Sequence, residues 1–193
     1  MANFDESFEE VMDIEGGYNN DPTDFGKETY MGISRRFHPN WEGWRVIDHS
    51  KREDTFPANL LSNSVLQGYV RDFYKQYYWD VYLGDELPSQ IIANEMFDIA
   101  VNMGVDRAVR YLQRAMNLLN RNGKGFADIA EDGKFGGITL STMIIACQGN
   151  ESLIFKIMNI LQGAHYIETM SKTPSQEKYA RGWFRRVTIS RET

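Results

Sequence analysis

From Ser62 to near the C-terminus, apolar residues recur every three or four positions in one segment after another. This period constrains the fold most. It commits the chain to helices with one buried stripe each, and such stripes must pack on one another. Val65, Leu66, Tyr69, Val70, Phe73, Tyr77 and Val81 mark one side of a helix over 62–82. Pro88 opens the next, which runs to Met103 with Ile91, Ile92, Met96, Ile99 and Ala100 as its stripe. Gly104 breaks the pattern, and helices follow over 105–119, 138–147, 151–171 and, after Pro174, 176–187. Phe4, Phe8, Val11 and Met12 predict a further helix over 3–15, stopped by Gly16-Gly17.

The remaining segments lack this period. Residues 16–31 are rich in Gly, Asn, Asp and Thr, with Pro22, which predicts a short β-hairpin. Residues 32–38 read as one or two helical turns, and 39–58 as an ordered loop. Residues 120–137 carry five glycines and read as a connector. The expected fold is therefore mainly α, with a small N-terminal β-hairpin. No period of 20–50 residues repeats, which excludes a solenoid.

Composition narrows the function. A chain of 193 residues can bury a full core without disulfides or metals. Cys147 is the only cysteine, which fits folding in a reducing compartment. The net charge of −6 argues against a nucleic-acid binder. The N-terminus is acidic and lacks the apolar stretch of a signal peptide, and the longest apolar runs, such as 143–147, are too short to span a bilayer. The expectation is synthesis in the cytoplasm without stable membrane insertion. His38, His49 and His165 are scattered without metal-ligand spacing, so no metal site is expected. The segment 128–139 invites a calcium-loop reading, but Ala130 and Thr139 stand where ligands are needed, and a tight turn explains it better.

The stretch Glu15 to Ile33 carries the chemistry. A carboxyl on the last turn of an amphipathic helix is shielded by the apolar face, which raises its pKa as a general acid requires. The helix C-terminus acts in the same direction. Glu15 has this place, and the two glycines after it leave room for a ligand. Asp21 and Asp24 return on a turn-rich segment, and a carboxylic acid facing a carboxylate is the device of glycosidases. The plain alternative is a solvated helix end followed by Asx turns. Tyr18, Tyr30, Trp41 and Trp44 are near this segment and either stack on sugar faces or pack in the core, whereas Trp79 reads as core. Arg181, Arg185 and Arg186 form a basic face for an anionic polymer, or simply a solvated one.

The run Glu-Gly-Gly-Tyr-Asn-Asn-Asp-Pro-Thr-Asp, with Gly26, Thr29, Gly32 and Ile33 beyond it, resembles the N-terminal signature of glycoside hydrolase family 108, lysozyme-like N-acetylmuramidases of phage endolysins and secretion-associated loci. Phe73 to Asp80, Phe97 to Gly104 and Gly182-Trp183 with Arg186 are similar to later helices of that family, and Leu112 to Thr139 to its predicted peptidoglycan-binding region. The resemblance implies a lysozyme-like helical fold with a catalytic region over 1–104 and a peptidoglycan-binding helical region over 105–193, packed as one unit. It implies hydrolysis of the β-1,4 bond between N-acetylmuramic acid and N-acetylglucosamine in peptidoglycan glycan strands, without a cofactor, and a holin or secretion system for release.

The family's catalytic glutamate falls on Glu15. Phage-type lysozymes of the wider superfamily carry an Asp nine residues on and then a Thr, which here gives Asp24 and Thr29, with Asp21 as the alternative second carboxylate. Tyr18, Asn20 and Tyr30 are the implied substrate contacts. Phe25-Gly26-Lys27 replaces the family's usual Pro-Gly-Gly, and Lys27 with Glu28 reads as a charge pair at the cleft lip, with Lys27 also able to pair with Asp24. A non-catalytic cell-wall-binding or secretion-accessory protein is the alternative function, against which the retained Glu15 argues.

Overall fold

The computed structural model describes residues 1–12, 17–21 and 26–188. Its elements run α1 (Phe4–Met12), β1 (Tyr18–Asn20), β2 (Glu28–Tyr30), β3 (Ile33–Ser34), α2 (Gly43–Ser50), α3 (Ser64–Tyr74), α4 (Gln90–Met103), α5 (Val105–Leu119), α6 (Gly137–Ala146), α7 (Glu151–Lys172) and α8 (Ala180–Arg185). The fold is mainly α, as the periodicity requires. The chain divides into two units, one of residues 8–77 and one of residues 1–7 with 78–193. Among the described residues no helix is long and apolar enough to cross a membrane.

In the unit of residues 8–77, the three strands form an antiparallel sheet in the order β1-β2-β3. The third strand replaces the helical turns expected over 32–38. Met31 and Gly32 both have positive φ (43° and 77°), and they join Tyr30 to its partner Ile33. This two-residue turn matches the twist of a hairpin and returns the chain as a strand. The loop expected over 39–58 also contains a helix, α2. Its buried Trp44, Ile47 and Ser50 stand three apart, a short stripe concealed among the tryptophans and prolines around it. Asn63 caps α3, its side chain accepting from the Leu66 N–H at 3.0 Å.

The helix expected over 62–82 is interrupted. Lys75–Trp79 is a π turn, followed by a 3-10 turn at Asp80–Tyr82. The extra residue rotates the apolar face by one position. Leu66, Val70, Phe73 and Tyr74 are buried before it, and Trp79 and Tyr82 after it, while Tyr77 and Val81 are about half exposed. A straight helix would have buried the latter two.

In the unit of residues 1–7 and 78–193, α4 is the central element. Ile92 through Phe97, then Ile99 and Ala100, are all buried, so the helix is covered on every side. Helices α5 and α7 pack on it and on each other. The N-terminal residues dock here too. The Ala2 N–H donates to the Leu87 carbonyl (2.9 Å), and the Ser7 hydroxyl donates to Asn94 Oδ1 (2.7 Å). Phe4 sets its ring edge-on to Trp79 (5.6 Å) and Phe97 (5.7 Å). Trp79 is fully buried, its Nε1–H donates to Asp85 Oδ1 (2.8 Å), and its indole lies against Gly84.

The glycine-rich connector after α5 is held by amides spaced along that helix. The side chain of Gln113 donates to Asp132 and to the Lys134 carbonyl and accepts from the Gly133 N–H. Asn117 makes paired bonds with the Ile129 backbone, and Asn120 donates to Asp128. The two aspartates that invited a calcium reading are thus fastened to α5. The basic face expected on the last helix also changes. The Arg186 side chain is buried and its Nη1 meets Asp98 Oδ1 at 2.5 Å, while Gln162 donates to the other oxygen of Asp98 (2.8 Å). Arg186 is an internal tie; Arg181 and Arg185 remain exposed.

Candidate active site

Alternation along the strands sorts the expected site residues onto two faces. Tyr18 pairs with Tyr30, Asn19 with Thr29 and Asn20 with Glu28. Successive side chains in a strand point to opposite faces. Thr29 therefore shares its face with Asn19, whereas Tyr18, Asn20 and Tyr30 share the other with Glu28. Burial follows the same pattern: Glu28 and Tyr30 are buried, and Thr29 between them is partly exposed. Gly26 comes up against Thr29, since a Cβ on it would lie 3.2 Å from Thr29 Cγ2. Asn19 is thus a candidate contact beside Thr29 that the sequence reading omitted. The alternation through Tyr18-Asn19-Asn20 was the available signal.

Glu15 and Asp24 lie outside the described residues. Asp21 is exposed just after β1. Asn20 is exposed at the end of β1, on the face of Glu28.

The two tyrosines are tied into the framework of the unit, Tyr30 fully and Tyr18 in part. Tyr30 is 1% exposed. Its hydroxyl donates to the Leu60 carbonyl (3.3 Å) and accepts from Gln67 Nε2 (2.8 Å), tying the sheet to α3. Tyr74 adds a second tie, donating to the Met31 carbonyl (2.7 Å). Tyr18 is half-buried, edge-on to Phe56 (4.8 Å), and its hydroxyl donates to Glu28 Oε1 (3.0 Å). Burial, and then that hydrogen bond, push its phenol pKa up. Trp44 is buried as well, its Nε1–H donating to the His38 carbonyl (2.7 Å).

Glu28 is the main correction to the sequence reading. It is not a lip charge set beside Lys27. Its carboxylate is nearly buried and meets Arg35 Nη1 (3.0 Å) and Lys51 Nζ (2.7 Å). Asp48 closes the cluster, receiving Arg35 Nη2 (2.7 Å) and Lys51 Nζ (2.9 Å). The Arg35 guanidinium also lies over the Trp44 ring at 4.7 Å. Two cations and two anions thus bind β2, the turn after β3 and α2 together, with charges balanced.

Glu28→Gln keeps the shape of this cluster and removes one of its anions. A partly buried cation left short of its partner costs on the order of 2 kcal/mol. The expected result is a lower denaturant midpoint with unchanged helix content, and an unshifted midpoint would refute the role. Asp48 gives the cluster a pH dependence. The Arg35 hydrogen bond holds its carboxyl below the ordinary 3.8. Its stabilisation is therefore complete above about pH 4 and is lost as the pH falls through the depressed value. Asp48→Asn should flatten the acid limb of the stability profile below pH 4.

Residues 8–104, just over half of the chain, match the family model described as Glycosyl hydrolase 108. Residues 107–188 match the model described as Predicted Peptidoglycan domain. The solved structure of SagA from Brucella abortus is similar in fold: its TM-score is 0.57 at 24% identity, covering 98% of this chain and 97% of that one. No curated protein matches the sequence significantly. The chain belongs to glycosyl hydrolase family 108, and with its peptidoglycan-domain region it is a glycosidase that acts on peptidoglycan.

Proposed function

We propose that the protein is an N-acetylmuramidase that hydrolyses the β-1,4 bond between N-acetylmuramic acid and N-acetylglucosamine. Glu15 protonates the glycosidic oxygen as the sugar takes on oxocarbenium character. Asp24 stabilises that charge or positions the water, and Thr29 holds the water or the acid. The observation that carries the reading is the family match over residues 8–104, which spans Glu15 through Thr29. The strand register supports it: Thr29 stands on the face away from the Glu28 cluster, beside Asn19.

Asp24 is favoured over Asp21 as the second carboxylate. Gly26 lies against Thr29, and Asp24 is two residues from Gly26 in the chain whereas Asp21 is five. Asp24→Asn should therefore cost more activity than Asp21→Asn, measured as the rate of sacculus clearing by folded protein. The reverse order would transfer the role to Asp21. The experiment for the function as a whole is digestion of purified sacculi. Release of soluble muropeptides is expected; none from folded protein would favour a non-catalytic wall-binding role.

A further inference from the structure

A groove of about 410 Å³ opens wholly within the unit of residues 8–77, between the segment 37–42 and α3 with the π turn that follows it. It lies on a different side of α3 from the sheet. Gln67 and Tyr74, two turns apart, hold the sheet through Tyr30 and Met31. Tyr69, Asp72 and Gln76, which line the groove, project about half a turn away from them. The sheet and the groove thus belong to different faces of one helix.

The groove is built around a fixed indole. Trp41 is partly exposed, and its Nε1–H donates to the Tyr69 carbonyl (3.2 Å). Its ring lies flat on Gly43, where a Cβ would stand 2.3 Å from Cη2. Trp44, edge-on at 5.1 Å, supports it from one side. Phe37 and Tyr77, 55% and 47% exposed, add two further aromatic surfaces. Asn40 and Gln76 put neutral amides on the rim. Glu42 is partly neutralised by Arg45 (3.0 Å). Burial pushes the His38 imidazole pKa down, so this side chain is neutral at pH 7.

Exposed aromatic faces rimmed by the amides of Asn40 and Gln76 and the carboxylates of Glu42 and Asp72, which accept hydrogen bonds from hydroxyl and amide groups, match a ligand that has both apolar ring faces and equatorial hydroxyl and amide groups. They suit an anionic peptide less well. The volume is within the range of about 300–1,000 Å³ typical of small-ligand clefts. We propose that this groove is a second carbohydrate-binding site, which holds an N-acetylated sugar ring of the glycan strand on Trp41, Phe37 and Tyr77. The inference rests on the peptidoglycan reading. Its role is to keep the enzyme on an insoluble polymer, because two linked contacts hold a strand better than one.

The test uses the full-length Glu15→Gln chain, which does not consume the probe, titrated with the β-1,4-linked tetramer of N-acetylglucosamine. The indole N–H resonance of Trp41, identified by its loss in Trp41→Phe, is expected to shift saturably. Phe37→Ala and Tyr77→Ala, each checked by thermal melting, should weaken binding to sacculi about tenfold, the effect of losing one good aromatic contact. Phe37 is more than half exposed, so its variant keeps the test valid should Tyr77→Ala not fold. A Trp41 resonance that stays fixed while others move, or full sacculus affinity in the folded alanine variants, would overturn the proposal. A shift caused by a free stem peptide but not by the sugar tetramer would overturn it as well. Failure of the muramidase reading has a different signature: the parent chain releases no muropeptides, whatever the Trp41 resonance does.

Discussion

Glu15→Gln is expected to reduce sacculus clearing by at least about a hundredfold, the lower end of what a positioned general acid contributes. The substitution is nearly isosteric and removes only the proton donor. In the sequence Glu15 stands between the end of α1 at Met12 and the strand that begins at Tyr18. The melting temperature should stay near that of the parent. A folded variant that clears cell walls at close to the parental rate would remove Glu15 from the mechanism.

Gly84→Ala is expected to destabilise the chain by about 3 kcal/mol or more, the range of severe overpacking in a core. A Cβ at position 84 would lie 2.3 Å from two carbons of the Trp79 indole. The indole has no room to yield. It is fully buried, bonded through Nε1 to Asp85, and set against Phe4, Tyr82 and Phe97. The backbone is constrained too, because Leu83 immediately before it already takes a left-handed conformation (φ 56°). The measurement is a thermal or urea melt, and a loss below 1 kcal/mol would show that the indole can move aside.

Long amphipathic segments were legible in the sequence because one stripe and one stop signal define each. Helices α4, α5 and α7 lie within two residues of their expected limits, with Gly104 (φ 92°) between the first two. Features that depend on partners distant in sequence were not legible. The π turn at Lys75–Trp79 exchanges Tyr77 and Val81 for Trp79 and Tyr82 in the core, and no local pattern announces an inserted residue. Glu28 looks like a surface charge until Arg35 and Lys51 are brought to it by a hairpin and by α2. Arg186 looks solvated until Asp98, 88 residues away, is found to receive it. In the candidate site, the helix-end and turn pattern supplied Glu15, Asp21 and Asp24, and resemblance added Thr29. It grouped Tyr18, Asn20 and Tyr30 with them because they are near in sequence. The strand period puts these three on the face opposite Thr29 and brings Asn19 to Thr29.

The central claim is a muramidase, and nothing in a pair of carboxylates distinguishes the two alternating β-1,4 linkages of the glycan. The direct measurement is to digest purified sacculi with the protein, reduce the products with borohydride, and identify the sugar at the new reducing end by mass spectrometry. Muramitol at that end is the predicted result. Glucosaminitol would retain the glycosidase and contradict the muramidase.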